Sequence, residues 1–412
     1  MEAPSTVTDL ADLYRDLHRH PELSFQETRT AGIVAEQLRA AGCDTTEGVG
    51  GTGVVGVLQN GSGPVALLRA DMDALPVLED TGLDYASTVR GLDPDGDEVP
   101  VAHACGHDMH VSCLLGAVAE LTASRETWSG TLLVVFQPAE EVLGGARAML
   151  DDGLYERFDR PDVVLGQHVA PLPAGMLALQ SGPVFAGSDT VRVTLHGAGG
   201  HSSRPETTID PVVMAAATVI RLQTIVAREL AGTDTAVLSV GTMRAGSKEN
   251  IIPDRAELGM SVRTYDAAVR ERVLAAIERI ARAEAAASGA TTEPEVRVTH
   301  SSPPLVNDAA AVEHMRPALA AVAPVVEPGP VTASEDVGLL ASAAQAPCVY
   351  WLLGGADPAA FAGATTRAEL MARVAAQPSN HSPLYAPVVE PTLSTGIAAL
   401  VAGARHWLPV GR

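Results

Sequence analysis

The chain has 412 residues, more than a single hydrophobic core usually organises, so we expect two domains. Hydrophobic residues make up 46% of it, enough for full cores. The formal net charge of −22, with no long Lys/Arg run, argues against a protein that binds nucleic acid or an anionic membrane through a broad basic surface.

Several features of the sequence predict a cytoplasmic protein. The first residues, MEAPSTVTDLADLY, lack the basic segment and apolar stretch of a signal peptide, and no run of 18 apolar residues follows. The four cysteines are scattered, unlike the dense pattern of a disulfide-stapled secreted domain. We expect most of them to be small core residues.

The first part of the chain alternates helical periodicity with short apolar runs, which is typical of a mostly parallel sheet covered by helices on both faces. Residues 27–41 read as an amphipathic helix closed by Gly42. The end of the chain returns to this style, with a strand at 348–353 and a closing helix at 392–408. Further buried strands are predicted at 54–58, 65–69, 132–136 and 163–166.

Residues 51–56, GTGVVG, match the dinucleotide-binding fingerprint GxGxxG. That fingerprint requires a strand before it and a helix after it. Here a strand-like run follows instead, and then Asn60-Gly61, a hairpin turn signal. We therefore predict a turn and a strand at this point and no cofactor loop.

The middle of the chain, from about Thr190 to His300, follows a different pattern. Its order of elements is βαββαβ, the ferredoxin-like split unit. We expect an inserted α+β domain at residues 187–300 within a discontinuous α/β domain formed by residues 1–186 and 301–412. The predicted elements are a strand at 191–195, a helix at 210–230, strands at 236–243 and 256–264, a helix at 266–287 and a strand at 296–299.

The segment 103–110, HACGHDMH, packs three imidazoles, a thiol and a carboxylate into a short stretch before an apolar helix. A lone histidine is usually structural, but this density gathers polar groups that nothing obvious would satisfy unless a metal binds. Cys105 and His107 alternate along the chain, so in an extended backbone both side chains point the same way. Both are therefore candidate ligands of one metal centre.

Other candidate ligands follow predicted strands. The strand at 132–136 leads to the adjacent carboxylates Glu140 and Glu141, and the strand at 163–166 leads to His168. Ligands of open α/β sheets bind outside the carboxyl ends of the strands, so we expect these side chains to converge. For the two carboxylates alone, a solvated loop is the competing interpretation.

Three more residues are less distinctive. Asp71 and Asp73 follow the strand at 65–69, so they either orient the ligands or are plain surface carboxylates. His381 lies in a polar turn near the return of the sheet and is unremarkable by itself.

Several longer motifs occur in order along nearly the whole chain. They are HRHPEL at 18–23, RADMDALP at 69–76, CGHD at 105–108, QPAEE at 137–141, GGHSS at 199–203, NIIP at 250–253 and NHS at 380–382. Together they resemble the amidohydrolase branch of the dinuclear-metal aminoacylase and carboxypeptidase family, the branch of hippurate hydrolases and plant auxin-conjugate hydrolases. Such a series of motifs is far more specific than any one of them.

The resemblance implies two divalent metal ions per subunit, with Cys105 in the bridging position that an aspartate takes elsewhere in the wider family, and Glu140 as general acid/base. The wider family has a metal-binding histidine where this chain has Arg69, and in this branch His107 takes over that role. A thiolate ligand fits Zn²⁺, Co²⁺ or Ni²⁺, and the oxygen and nitrogen ligands keep Mn²⁺ open. The implied metal ligands are Cys105, His107, Glu141, His168 and His381.

The inserted domain corresponds, by this resemblance, to the lid of the family, and residues 1–186 and 301–412 to its catalytic domain. Lid residues His201, Asn250 and Arg263 would contact the substrate carboxylate or the developing oxyanion. Family members often dimerise through this domain. The resemblance therefore implies a homodimer or higher homo-oligomer in which His201 acts across the subunit interface.

These observations predict an enzyme that hydrolyses a small N-acyl amino acid to a carboxylic acid and a free amino acid. A metal-activated water would attack, and Glu140 would pass its proton to the leaving amine. A metallo-dipeptidase or a deacetylase of a biosynthetic intermediate would have the same metal core. A non-catalytic binding protein has no need of a base beside the metal, and a structural zinc site usually has four Cys/His ligands at short paired spacings.

Overall fold

The computed structural model describes residues 7–410, in which the chain divides into two units. The first unit comprises the described residues up to Val184, Val306–Gly329, and the described residues from Asp336 onward. The second comprises Phe185–Leu305 and Pro330–Glu335. A lid function for residues 187–300 stays a prediction.

Helices and strands are numbered in chain order. The strands are β1 (Asp44–Val49), β2 (Gly53–Asn60), β3 (Val65–Asp71), β4 (Arg90–Leu92), β5 (Glu98–Pro100), β6 (Gly130–Gln137), β7 (Val163–Pro173), β8 (Leu177–Ala178), β9 (Gly182–Phe185), β10 (Gly187–His196), β11 (Gly200–His201), β12 (Ala236–Ala245), β13 (Ile251–Ile252), β14 (Arg255–Thr264), β15 (Glu295–Ser302), β16 (Leu305–Asn307), β17 (Val325–Val326) and β18 (Cys348–Ala356). The α-helices are α1 (Val7–Arg19), α2 (Thr28–Ala40), α3 (His107–Ala123), α4 (Gly145–Asp151), α5 (Leu154–Arg157), α6 (Pro211–Thr224), α7 (Ala267–Ala287), α8 (Ala309–Ala320), α9 (Gly338–Ala344), α10 (Arg367–Ala375) and α11 (Thr392–Trp407).

The first unit is built on a mixed sheet with the order β1-β2-β6-β3-β7-β18-β8-β17. Its four central strands, β6, β3, β7 and β18, are parallel to one another. Helices α3 and α11 pack together and against β3 and β7, while α4 and α9 pack together and against β6 and β7. The predicted α/β class with a mostly parallel, helix-flanked sheet is confirmed.

The central strands are apolar almost throughout because both of their faces are covered. Every residue of β6 from Leu132 to Gln137 is buried, and so is every residue of β7 from Val163 to Val169. All the strands predicted for this unit lie inside observed strands. The helices predicted at its two ends are α2 and α11.

The glycine-rich stretch at 51–56 forms a turn followed by β2, as predicted. Gly50 and Gly51 have positive φ angles of 68° and 106°, which favour glycine. The hairpin suggested by Asn60-Gly61 was wrong, because β6 lies between β2 and β3 in the sheet. The sequence Asn60-Gly61 does mark the end of β2, but a turn sequence does not specify which strands pair.

The second unit contains a four-stranded antiparallel sheet with the order β12-β14-β10-β15. Helices α6 and α7 pack on it and on each other, so the predicted βαββαβ order of elements is confirmed. The side chain of Asp210 accepts a hydrogen bond from Val212 N and that of Asp266 accepts one from Val269 N, which explains where the two helices begin.

One helical stretch among the described residues, Pro211–Glu229, is long and apolar enough to cross a membrane, and 33% of it is buried. Met214, Ala215 and Leu222 within it belong to the core of the second unit. We therefore assign this stretch to the packing of that unit.

Glu27 is a buried carboxylate that connects three segments of the first unit. It accepts hydrogen bonds from Phe25 N at 3.0 Å and Ala139 N at 2.8 Å, and it also accepts one from the hydroxyl of Thr52. Burial raises the pKa of Glu27 from its ordinary value of 4.5 to about 7, against the hydrogen bond from Thr52. The fold therefore favours the protonated carboxyl group.

We predict that Glu27→Gln flattens the pH dependence of stability. The raised pKa means that the contribution of Glu27 is fully present below pH 4.5, its ordinary pKa, and is lost as the pH rises through about 7. Relative to the variant, the wild type should lose on the order of 3 kcal/mol of unfolding free energy across this window. Urea unfolding at a series of pH values measures the difference.

Glu36→Gln, an exposed position on α2, is the matched control and should follow the wild type. Parallel curves for Glu27→Gln and the wild type would contradict the raised pKa.

Candidate metal centre

Cys105 and His107 approach each other through a tight turn. The extended backbone assumed in predicting their common direction was wrong: Gly106 N donates to His103 O at 3.2 Å, and His107 is the first residue of α3. Gly106 has a φ of +84°, and a Cβ atom there would lie 2.5 Å from Val169 Cγ1. Only glycine fits between the two candidate ligands.

His168 faces Cys105 from β7. Its Nδ1 donates to Val169 O at 2.8 Å, which leaves Nε2 directed at Cys105 Sγ, 3.4 Å away. The residue does not lie at the end of its strand, since β7 continues to Pro173. It does lie beyond Gly166, the last residue of β7 paired with β3, so its side chain emerges past the end of that neighbour.

Glu140 and Glu141 lie on a turn after β6 that begins at Ala139, whose φ is +50°. Asp73 holds this turn by accepting hydrogen bonds from Glu140 N at 3.1 Å and Glu141 N at 3.0 Å. Glu140 is only 5% exposed. The solvated-loop interpretation is therefore wrong for this pair.

His381 reaches the same place from a distant part of the chain. Its Nε2 lies 3.2 Å from Glu141 Oε2, and its backbone N donates to Ala104 O at 2.7 Å. Its φ is +72°, an uncommon value for a residue other than glycine, and such outliers often occur at functional sites. The imidazole is 55% exposed, so this side of the cluster is open.

The structure brings all five predicted metal ligands together. The potential ligand atoms of Cys105, His107 and His168 lie within 4.8 Å of one another, and so do those of Cys105, Glu141 and His381. The two groups share Cys105, as two ions with a bridging ligand require. Glu140 belongs to a third group, with His107 and Glu141.

Two buried atoms at the centre of the cluster support cation binding. Among the described residues, neither His107 Nε2 nor Glu141 Oε1 has a hydrogen-bond partner, although they lie 3.7 Å apart. Asp71 Oδ2 at 3.6 Å and Glu140 Oε2 at 4.0 Å also face His107 Nε2. Buried polar atoms without partners are costly, and a cation between them would satisfy them.

The charges of the cluster lead to the same conclusion. Burial, reinforced by the carboxylates of Glu141 and Glu140, raises the pKa of the Cys105 thiol well above its usual range. Burial lowers the pKa of His107, but Asp71 and the other carboxylates outweigh it and raise this pKa to about 10. Metal ligation requires a thiolate and a neutral imidazole, and a divalent cation supplies the charge that favours both forms.

Asp71 and Asp73 are fully buried, so the surface interpretation of these carboxylates is wrong. Asp73 Oδ1 lies 3.3 Å from His107 Nδ1, which leaves His107 Nε2 toward the cluster. Asp71 accepts hydrogen bonds from Arg69 Nη1 at 2.7 Å and His110 Nδ1 at 2.5 Å. Both aspartates therefore contact histidines of the segment 103–110.

Sequence reasoning missed the contacts made by Arg69 and His110. Arg69 also donates to Gln137 Oε1 at 2.9 Å, and His110 Nε2 accepts from Val169 N at 2.8 Å. A guanidinium inside an apolar strand was the available signal for Arg69. For His110 it was its position in the next turn of the helix after His107.

His18 is a second buried histidine whose partners the sequence did not reveal. Its Nδ1 lies 2.6 Å from Asp108 Oδ2, and its Nε2 lies 3.1 Å from Glu79 Oε1. Burial lowers the pKa of His18, but the charge of Asp108 outweighs it and raises the value to about 10. This ion pair links α1 to the first turn of α3, next to His107.

The predicted substrate contacts lie in the second unit. His201 is on β11, which pairs with β13, and Asn250 O accepts a hydrogen bond from Ser202 N at 3.2 Å. Arg263 is on β14, and its guanidinium donates to the hydroxyl of Ser334. His201 and Asn250 are thus on adjoining segments, while Arg263 is bonded to a different part of the unit, and their contact with substrate stays a prediction.

The comparisons with known proteins agree with this geometry. The model of peptidase family M20/M25/M40 matches residues 67–372. Thermostable carboxypeptidase 1 of Saccharolobus solfataricus is 37% identical over 350 residues, covering 84% of this chain and 85% of that protein. Hippurate hydrolase of Campylobacter jejuni is 42% identical over 274 residues, covering 66% and 68%.

A solved structure is similar over almost the whole chain. The YxeP protein of Bacillus subtilis, described as a dinuclear metal binding peptidase from the M20 family, has a TM-score of 0.78 and 28% identity, covering 98% of both chains. Together with the family match, these relatives confirm the resemblance seen in the sequence motifs. The chain belongs to peptidase family M20/M25/M40 and is a metal-dependent hydrolase of its amidohydrolase branch.

Proposed function

We propose that this enzyme hydrolyses the amide bond of small N-acyl amino acids with two divalent metal ions per subunit. The observation that carries the proposal is the pair of three-ligand groups that share Cys105, with the buried carboxylate of Glu140 beside them. The donor set suits Zn²⁺, Co²⁺, Ni²⁺ or Mn²⁺. Cys105, His107 and His168 would hold one ion, and Cys105, Glu141 and His381 the other.

When bound, a pair of such ions polarises the scissile carbonyl and lowers the pKa of water. Two contacts support Glu140 as the proposed base: Asp73 accepts a hydrogen bond from its backbone N, and its carboxylate lies 4.0 Å from His107 Nε2, at the edge of the ligand cluster. It would accept the proton of the attacking water and deliver it to the nitrogen of the leaving amine. An amine leaves poorly unless it is protonated, so one group serves as base and then as acid.

The substrate class is supported by two of the relatives. Hippurate is an N-acyl glycine, and a carboxypeptidase also cleaves an amide next to an amino acid with a free carboxylate. We propose that His201, Asn250 and Arg263 contact that carboxylate or the oxyanion that forms on the carbonyl. The similarity to a carboxypeptidase favours a metallo-dipeptidase as the second candidate, and a deacetylase of a biosynthetic intermediate would share the same core.

The second unit offers a surface for a second copy of this chain. Among the described residues, β12 pairs only with β14, so one of its backbone edges is open. Val213 and Ile220, seven residues apart on one face of α6, are 64% and 72% exposed. We propose a homodimer in which β12 and α6 meet their symmetry mates, with His201 acting across the interface.

We also propose that the enzyme works in the cytoplasm as a small-molecule hydrolase that binds neither nucleic acid nor membrane. All four cysteines are buried thiols, and none is in a disulfide. A reducing compartment maintains such thiols and leaves Cys105 available as a metal ligand.

The first test separates the roles of the neighbouring carboxylates. Glu140→Gln should keep the wild-type metal content while its kcat on N-benzoylglycine falls roughly 100- to 10,000-fold, because the base is lost. Glu141→Gln should lose metal first, and activity as a consequence. Metal analysis by mass spectrometry beside steady-state kinetics distinguishes the two, and full activity in Glu140→Gln would remove Glu140 from its proposed role.

The second test concerns metal and substrate. Removal of the metal with a chelator should abolish turnover. Adding Zn²⁺, Co²⁺, Ni²⁺ or Mn²⁺ to separate samples of the metal-free enzyme then shows which ion restores it. With the best ion, N-acyl amino acids should exceed dipeptides in kcat/KM. Blocking the substrate carboxylate as an amide should reduce kcat/KM at least about 100-fold, since the negative charge that Arg263 and its neighbours are proposed to bind is then lost. A preference for dipeptides would favour the second candidate function.

The third test concerns assembly. Ile220→Glu should convert the dimer to a monomer in sedimentation velocity, because it places a charge in the apolar contact. Leu78→Glu is the control, a similar change at a residue of the first unit that is 67% exposed. A wild-type chain that sediments as a monomer at micromolar concentration would contradict the proposed dimer.

A further inference from the structure

Asn380 precedes His381 and contacts two other ligand-bearing segments. Its Nδ2 donates to Cys105 O at 3.1 Å and to Val169 O at 3.2 Å, and it lies 3.8 Å from Cys105 Sγ. Val169 follows His168 directly in β7. One half-buried amide group thus connects the segments that carry Cys105, His168 and His381.

The orientation of this amide follows from its partners. Two backbone carbonyl oxygens face the same terminal atom, and a carbonyl oxygen can only accept, so that atom must be the NH₂ group. The opposite orientation would set the side-chain oxygen against both. The NH₂ group has two hydrogens and faces three acceptors, so a bond to Cys105 Sγ, 3.8 Å away, shares a hydrogen with one of the two carbonyl oxygens.

We propose that Asn380 is a positioning residue of the metal centre that holds Cys105 between the two ligand groups and donates a hydrogen bond to its sulfur. The inference rests on the proposed function, because in that proposal Cys105 would bind both metal ions as a thiolate. A thiolate accepts an N–H bond more strongly than a thiol does. The bond withdraws electron density from the sulfur and thereby sets how strongly it donates to the metals.

The backbone contacts add a mechanical role. His381 has a left-handed φ, and its backbone N donates to Ala104 O. This hydrogen bond attaches the turn that contains His381 to the residue before Cys105. Asn380 continues this attachment with its bond to Cys105 O. Loss of its amide would free the His381 turn from the Cys105 turn and weaken metal binding.

The experiment uses the full-length, metal-free protein titrated with Co²⁺ alone, whose absorption reports both binding and the sulfur-to-metal charge-transfer band. Asn380→Asp is nearly isosteric but sets a carboxylate against two carbonyl oxygens and a sulfur. Asn380→Ala removes the group without introducing charge, and it keeps the test valid where the aspartate variant does not fold. Both variants should bind Co²⁺ about 10- to 100-fold more weakly.

The band supplies a readout that a purely structural role would not move. Without the N–H donor the sulfur lone pairs rise in energy, so the charge-transfer band should shift to longer wavelength in Asn380→Ala. Ser382→Ala is the matched control on the other side of His381, since the Ser382 hydroxyl accepts a bond from Leu384 N. It should leave the affinity and the band unchanged.

The outcomes separate this inference from the proposed function. Absence of any sulfur-to-Co²⁺ band in the wild type would overturn the thiolate centre itself. A wild-type band at the same wavelength as that of Asn380→Ala would leave the centre standing and overturn the role of Asn380. Weaker binding with a shifted band supports the inference.

Discussion

The concentration of negative charge in a buried space is the constraint on which this molecule depends. Asp71, Asp73 and Glu140 are almost entirely buried, Glu141 lies beside them, and the Cys105 thiol is within reach. Burial disfavours every one of these charges unless a positive partner is close. The guanidinium of Arg69, which is always positively charged, pairs with Asp71. The negative charge of the remaining carboxylates makes the cluster suited to divalent cations.

Both the sheet and the turns position the side chains of that cluster. The parallel strands deliver Asp71, Glu141 and His168 past the same edge, while the positive φ angles at Gly106, Ala139 and His381 direct the ligands inward. Asp73 couples two of the pieces, because it touches His107 and also holds the backbone of the acidic turn. A displacement of Asp73 would therefore move a ligand and the proposed base together.

The sequence predicted the elements well because their signals are local. Apolar runs, helix caps and the βαββαβ order can each be recognised from residues that are close together in the chain. The same holds for the cluster of histidines around Cys105. Gln137 as a partner of Arg69, Asp108 as the partner of His18 and Val169 as a partner of Asn380 lie far away in the chain and could not be predicted from spacing. His381 shows the limit most clearly, since only its family resemblance distinguished it from a polar turn, and its left-handed backbone has no signature in a non-glycine residue.

The position of His381 along the chain also bears on how the protein is made. Cys105, His107, Glu141 and His168 precede the second unit, and His381 follows it, as does β18, the strand that flanks β7. During synthesis the ribosome must therefore deliver the whole second unit before the last of the five proposed ligands becomes available. Metal bound earlier would meet only four of the five proposed donors, so the complete set exists only after the second unit has been synthesised.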